Sequence, residues 1–198
     1  MGSYETSPEQ ALSSAIRLVK EGQAQGVKLE GGRELAPAVS KIVEAGIPVM
    51  GHVGLQPQRH HIFGGFKTQG KTCDGALSVF DDALAVQAAG CFALVLEAVP
   101  GDIAAAMTDE LSVPTIGVGA GLGCSGQGLV QADLVGQLPP GSSAPRFATR
   151  YGDVWKTARE AVCQFRAEVK SREFPTDEHN YTVSDGVTRA FKQAIGNR

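Results

Sequence analysis

Phe92-Ala93-Leu94-Val95-Leu96-Glu97-Ala98-Val99 is the stretch whose reading decides the fold class. A strand with one face in water alternates polar and apolar residues, and this run does not alternate. Both of its faces must be covered, which points to a parallel strand layered with helices. Parallel strands need long crossovers, and the flanking sequence supplies them. Upstream, an alanine-rich helix is expected from Ala76 to Ala89, stopped by Gly90. Downstream, Pro100 opens a short helix to Leu111, and Pro114 to Gly121 reads as the next strand.

Further toward the N-terminus the same alternation recurs. Val49-Met50-Gly51-His52-Val53-Gly54 is a strand, preceded by a helix from about Glu34 to Ala45. Gly26-Val27-Lys28-Leu29-Glu30-Gly31-Gly32 is a shorter strand that carries two opposite charges. Before it, Ser7 as N-cap, Pro8 at the first helical position and Gln10 start a helix, with Ala11, Leu12, Ala15, Ile16 and Val19 at helical spacing. Four strand–helix alternations fit either a (β/α) barrel or a doubly wound sheet. In both, ligands bind beyond the carboxyl ends of the strands.

Three polar residues fall at or near such ends. Glu97 closes the most apolar run, where loss of hydration would raise its proton affinity as a general base requires; the plainer reading is a glutamate that turns outward or caps the next helix. Lys28 and Glu30 share one strand face, opposite Val27 and Leu29, and alone would pass for a structural ion pair. His52 could donate to a substrate carboxylate or be a satisfied core histidine. His60 and His61, being adjacent, are expected to point in different directions and to make a poor metal pair. With Arg59, Lys67 and Lys71 they form a basic loop, either a lid or solvated surface. Gly121-Leu122-Gly123-Cys124-Ser125-Gly126 matches the dinucleotide pattern G-x-G-x-x-G, but no helix-forming run opens at Gly126, so it is read as a chance match.

A formal net charge of −3 on 198 residues gives no electrostatic footprint for nucleic acid. No apolar run is long enough to cross a bilayer, and the first residues resemble neither a signal nor a transit peptide. The expected setting is intracellular and soluble: cytoplasmic, or mitochondrial if a longer parent carries a transit peptide. Cys73, Cys91, Cys124 and Cys163 lack metal-ligand spacing and are expected to be free thiols, mostly buried. Leu138-Pro139-Pro140-Gly141 marks a break. The expected organisation is a partial barrel over 1–138, a C-terminal helical appendage over 139–174 and a polar tail over 175–198.

With these residues laid out, the chain resembles the ketopantoate hydroxymethyltransferase family. The matching stretches are Val27 to Gly32, Ile47 to Leu55 with Pro57-Gln58, Gly65-Phe66 to Gly70, Leu94 to Pro100, and Pro114 to Gly121. Cys124 to Gln127 and Asp133 to Gly136 also fit. The resemblance implies a (β/α)8 TIM barrel and a homo-oligomer at the start of pantothenate synthesis. It implies magnesium as cofactor, 3-methyl-2-oxobutanoate as substrate and methylenetetrahydrofolate as one-carbon donor. Carried over, Glu30 is a magnesium ligand, Lys28 and His52 bind the keto acid, and Glu97 is the base that forms an enolate.

The family's chain also begins with three βα units that this sequence does not contain, carrying two aspartates and a serine of the site. The expectation is therefore a partial barrel with open edges, prone to aggregation. Two other readings compete: a non-catalytic remnant that binds a full-length parent, and a magnesium-dependent lyase or mutase of the phosphoenolpyruvate mutase type. The cysteine-centred lyase signature is absent.

Overall fold

The computed structural model describes residues 2–142 and 144–196. Five strands form one sheet: β1 (Val27–Lys28), β2 (Val49–Gly54), β3 (Ala93–Glu97), β4 (Thr115–Val118) and β5 (Gly126–Gln127). All neighbours are parallel, and the spatial order is the chain order, β1-β2-β3-β4-β5. A doubly wound sheet reverses its strand order at a switch point; this sheet does not.

The packing separates the two fold classes a second time. Side chains alternate across a strand, so Val49 and Val53 of β2 and Leu94 and Leu96 of β3 share one face. That face forms a single apolar cluster with Ala11 and Ala15 of α1 (Pro8–Lys20), Val39 and Ile42 of α2 (Ala36–Glu44), Val79, Ala83 and Val86 of α3 (Cys73–Ala88), and Ala104 and Met107 of α4 (Gly101–Glu110). Met50, Ala93 and Val95, on the opposite face, lie outside the cluster. Helices packed on one face of a sequentially ordered parallel sheet make an open segment of a (β/α) barrel. The carboxyl rim and the inner face are where such a fold presents ligand groups.

Local signals explain the element ends. Ser7 Oγ accepts from the Gln10 N–H at 3.1 Å, and Pro8 occupies the first helical turn of α1. Thr72 caps α3 in the same way, accepting from the Gly75 N–H at 3.1 Å, which starts that helix earlier than its alanine run suggests. Of the four cysteines only Cys91 is buried; Cys73 and Cys163 are exposed, so the expectation of mostly buried thiols is corrected. Cys73 is exposed because it opens α3 at the first turn.

Two compact units are distinguished: the chain up to Gln131 with the segment ending at Thr149, and Ala132–Ser142 with the chain from Arg150 on. The second is helical, with most of α5 (Gln131–Leu134), α6 (Val154–Ser171) and α7 (Asp185–Gly196). Asp153 caps α6 by accepting from the Lys156 N–H at 3.0 Å. The stretch from Phe147 to Asp153, within the segment expected to form a helical appendage, is irregular. No helix among the described residues is long and apolar enough to cross a membrane.

Candidate active site

The inner face of the sheet carries all four residues singled out from sequence. Lys28 pairs in register with Met50, His52 with Val95, and Gly54 with Glu97. The ladder runs on past β1, with the Leu29 N–H on the Met50 carbonyl at 3.1 Å and the Gly31 N–H on the His52 carbonyl at 3.0 Å. Glu30 is thereby held beside His52 at the carboxyl rim. Lys28 Nζ reaches Glu30 Oε1 at 3.1 Å, as their shared strand face requires. Glu30 is buried, whereas the Lys28 side chain is 41% exposed and open to a ligand.

His52 sits between two carboxylates. Its Nε2 is 3.2 Å from Glu97 Oε2 and its Nδ1 is 4.0 Å from Glu30 Oε1. The residue is 1% exposed, yet neither ring nitrogen has a hydrogen-bond partner. Both contacts lie within ion-pair distance, but the one to Glu30 is too long for a hydrogen bond and the one to Glu97 lacks the angle that a hydrogen bond needs. A buried polar group without a partner costs ~1–3 kcal/mol, and such groups mark places where something else completes the network. No group among the described residues satisfies the ring as the core-histidine reading would require.

Two residues that the sequence did not single out hold Glu30 in place. The Gln58 N–H donates to Glu30 Oε2 at 3.0 Å. Tyr4 is buried, and its hydroxyl accepts from the Glu30 N–H at 3.3 Å. The hydroxyl proton lies within reach of both the Glu30 carbonyl and Gln58 Oε1, each at 3.3 Å. Burial pushes the Tyr4 hydroxyl above the ordinary phenol value. The backbone hydrogen bond from Glu30 opposes that shift, and the Glu30 and Glu5 charges add to it. Tyr4 precedes the first helix and Gln58 follows β2, so no local pattern announces either one.

Glu97 is fixed through its backbone. The Leu55 N–H donates to the Glu97 carbonyl at 2.8 Å, and the Ala98 N–H donates to the Val118 carbonyl at 2.9 Å. Ala98 adopts φ +50, a left-handed conformation that an alanine resists by ~1–2 kcal/mol. Gly54 approaches Glu97 so closely that a Cβ on it would stand 2.4 Å from the Glu97 carbonyl oxygen, and its φ is +89.

The basic loop is pinned, with the Gln69 N–H on the Ala98 carbonyl at 2.9 Å and Arg59 paired with Glu34. His60 and His61 do not point apart as expected. Their ring centroids are 4.0 Å apart, because the chain turns tightly from Pro57 to Gly65. His60 is already engaged, with Nδ1 2.9 Å from the Pro57 carbonyl and its ring stacked on Phe66 at 4.7 Å. At Gly126 a strand begins rather than a helix, consistent with a chance dinucleotide match.

Magnesium takes near-octahedral oxygen ligands, from one or two carboxylates plus water and substrate. Glu30 offers one carboxylate, but its oxygens are engaged by the Lys28 ammonium and the Gln58 N–H. Among the described residues no group of three His, Cys, Asp or Glu is placed to hold a metal. The donor set on this chain does not by itself fit the ion.

A parallel α/β sheet that gathers carboxylates, an imidazole and an ammonium at its carboxyl rim has the arrangement in which barrel-type enzymes present their ligand groups. Within that class, the chain belongs to the ketopantoate hydroxymethyltransferase family, whose pattern matches residues 1–177. It is 56% identical over 195 residues to the 3-methyl-2-oxobutanoate hydroxymethyltransferase of Emericella nidulans, covering 98% of this chain and 56% of that protein. It is 49% identical over 195 residues to the protein of the same name from Nitratidesulfovibrio vulgaris strain DP4, covering 98% and 63%. The chain thus spans less than two thirds of the length of these relatives. Among solved structures, phosphonopyruvate hydrolase aligns with a TM-score of 0.46 at 12% identity, covering 98% of this chain and 68% of that one.

Proposed function

We propose that this chain carries the proton-abstracting part of a site that transfers a hydroxymethyl group from methylenetetrahydrofolate to 3-methyl-2-oxobutanoate. The names of its relatives support the reaction. The observation that carries the site is the buried His52 imidazole, unpaired between the Glu30 and Glu97 carboxylates.

In this reading Glu97 takes the proton from C3 of the keto acid and an enolate forms. The enolate carbon bonds to the one-carbon unit, both carbon–nitrogen bonds that hold this unit to the folate break, and water supplies the new hydroxyl, while the C3 proton and the second proton of water end on the two folate nitrogens. An enolate is costly near neutral pH unless fixed positive charge or donors meet the developing oxyanion. Lys28, half-open beside Glu30, provides an ammonium for the keto acid. His52 provides a ring N–H that no protein group uses. Glu30 fixes Lys28 and is the one carboxylate this chain would offer to magnesium. No step above depends on the ion.

The test is exchange of the substrate's C3 proton in deuterated water, followed by NMR. The chain should catalyse exchange, and Glu97→Gln should abolish it while keto-acid binding persists. Binding without exchange in the unsubstituted chain would instead favour the non-catalytic reading.

A further inference from the structure

Both oxygens of the Glu30 carboxylate are already engaged. Oε1 accepts from Lys28 Nζ at 3.1 Å, and Oε2 accepts from the Gln58 N–H at 3.0 Å. His52 Nδ1 stands 4.0 Å from Oε1. These neighbours are an ammonium, an amide N–H and an imidazole, and none of the three offers a hard cation an oxygen ligand. Glu97, the other carboxylate of the rim, lies across the ring, which meets Glu30 through Nδ1 and Glu97 through Nε2. The imidazole thus stands between the two carboxylates, where an ion shared by them would sit.

A 2-oxo acid carries a negative charge toward these carboxylates, and a cation has to meet it. Lys28 is placed to do so. Its side chain is 41% exposed, and Glu30 is its one hydrogen-bond and ion-pair partner among the described residues. An ammonium has three donors, so one goes to Glu30 and the others stay open. A 2-oxo acid presents its keto oxygen and a carboxylate oxygen on adjacent carbons, the pair that a divalent cation would chelate. The open donors of one ammonium match that pair. Arg59, on the loop after β2, is committed to Glu34 and Gln56 and leaves the role to Lys28.

We infer that in this chain the Lys28 ammonium takes the place of the divalent cation: it occupies Glu30, keeps the ion from it, and binds the keto acid without metal. The inference rests on the hydroxymethyl-transfer reading and names the positive charge that its site uses. Glu97 takes the proton from C3, the electrons of that bond form the C2–C3 double bond, and the carbonyl pair moves onto the oxygen that the ammonium meets. In deuterated water the reverse step returns a deuteron to C3, so no further reactant is consumed. Glu30 fixes the ammonium from the other side.

The test is calorimetric titration with 3-methyl-2-oxobutanoate, once in EDTA and once in magnesium, with manganese alone followed by electron paramagnetic resonance as the probe for the metal. The unsubstituted chain should bind the keto acid equally in both buffers, within about twofold, and should leave the manganese spectrum that of the aqueous ion. Lys28→Met keeps the apolar stem without the charge, and should weaken keto-acid binding in EDTA about tenfold, as loss of charge-assisted contacts predicts. Lys28→Asp sets a second carboxylate on the strand face of Glu30. It should take up manganese, and magnesium should then strengthen its keto-acid binding by about tenfold. Lys28 is partly in water, and circular dichroism checks that both variants fold; the two-buffer comparison needs only the unsubstituted chain.

Keto-acid binding by the unsubstituted chain that is absent in EDTA or that rises with magnesium overturns the inference. So does Lys28→Met binding as tight as the parent's, or a folded Lys28→Asp that ignores manganese. Exchange of the C3 proton is measured on the same preparations. Exchange that appears only with magnesium would sink the metal-free site and leave the function reading standing. Keto-acid binding in EDTA that Lys28→Met loses, without any exchange, would keep the role of Lys28 and sink the proposed deprotonation.

Discussion

His52 Nε2 stands 3.2 Å from Glu97 Oε2, across two neighbouring strands, without the angle of a hydrogen bond. The register of β2 and β3 sets that distance, since Gly54 is opposite Glu97 and His52 opposite Val95. The pair is thus a property of the sheet and not of a flexible loop. A ligand that enters between them finds a carboxylate and an imidazole already positioned.

The first prediction is that Glu97→Gln lowers the rate of C3 proton exchange by a factor of about 10²–10⁴, the usual contribution of a positioned base. Keto-acid affinity by calorimetry should change little. An exchange rate equal to that of the unsubstituted chain would remove Glu97 from the base role.

Lys28 and Glu30 should separate by function. Lys28→Ala should weaken keto-acid binding and cost only about 1 kcal/mol of stability, because the lysine is partly in water. Glu30→Ala should cost more, about 1–3 kcal/mol, because it removes the buried carboxylate that accepts from both the Gln58 N–H and the Lys28 ammonium. Urea unfolding and keto-acid titration of both variants check this. Equal losses in both measurements would sink the distinction.

Tyr4 predicts a pH dependence of stability. Its hydroxyl is raised above the ordinary phenol value of about 10, so the folded chain keeps the proton after the unfolded chain has lost it. The associated stability is therefore complete below about pH 10 and is lost as pH rises through the folded-state value. Tyr4→Phe should remove this slope, and should destabilise the chain at pH 7 by about 1–3 kcal/mol through the unpaired Glu30 N–H. Urea midpoints measured between pH 8 and pH 11 for both chains give the answer, and parallel curves would refute it.

Gly54→Ala tests the contact between strand ends. The new Cβ would meet the Glu97 carbonyl oxygen in a backbone conformation that alanine resists. We expect a loss of about 1–3 kcal/mol and slower C3 exchange, because Glu97 must move. A variant as stable and as active as the parent would show that the rim tolerates displacement.

Much of this site is legible in sequence because it follows from alternation along strands. Lys28 and Glu30, two residues apart, had to share a face, and Glu97 at the end of an apolar run had to reach a rim. What could not be read depends on contacts between distant segments. Nothing near Tyr4 marks it as the partner of Glu30, and nothing near Phe147 marks it as the neighbour of Gly119. Strand β5 escaped notice because Gly126–Gln127 has neither length nor apolar character, and its place comes from pairing with Ile116 and Gly117. Helix α7 lies in the stretch read as a polar tail of weak helical character, where Val187, Phe191 and Ile195 recur four residues apart, the spacing of one helix face, among otherwise polar residues.

The sequential strand order bears on how the chain acquires its structure. Each strand pairs with the one made just before it, so no segment must wait for a distant partner before its backbone groups are satisfied. Contacts of short loop length form fastest, and a growing polypeptide can add one strand and helix at a time in the direction of synthesis. His52 would be in place before Glu97 exists, and the pair would be complete as soon as β3 docks. On the ribosome, the proposed deprotonation site should therefore be assembled while the C-terminal helices are still being translated.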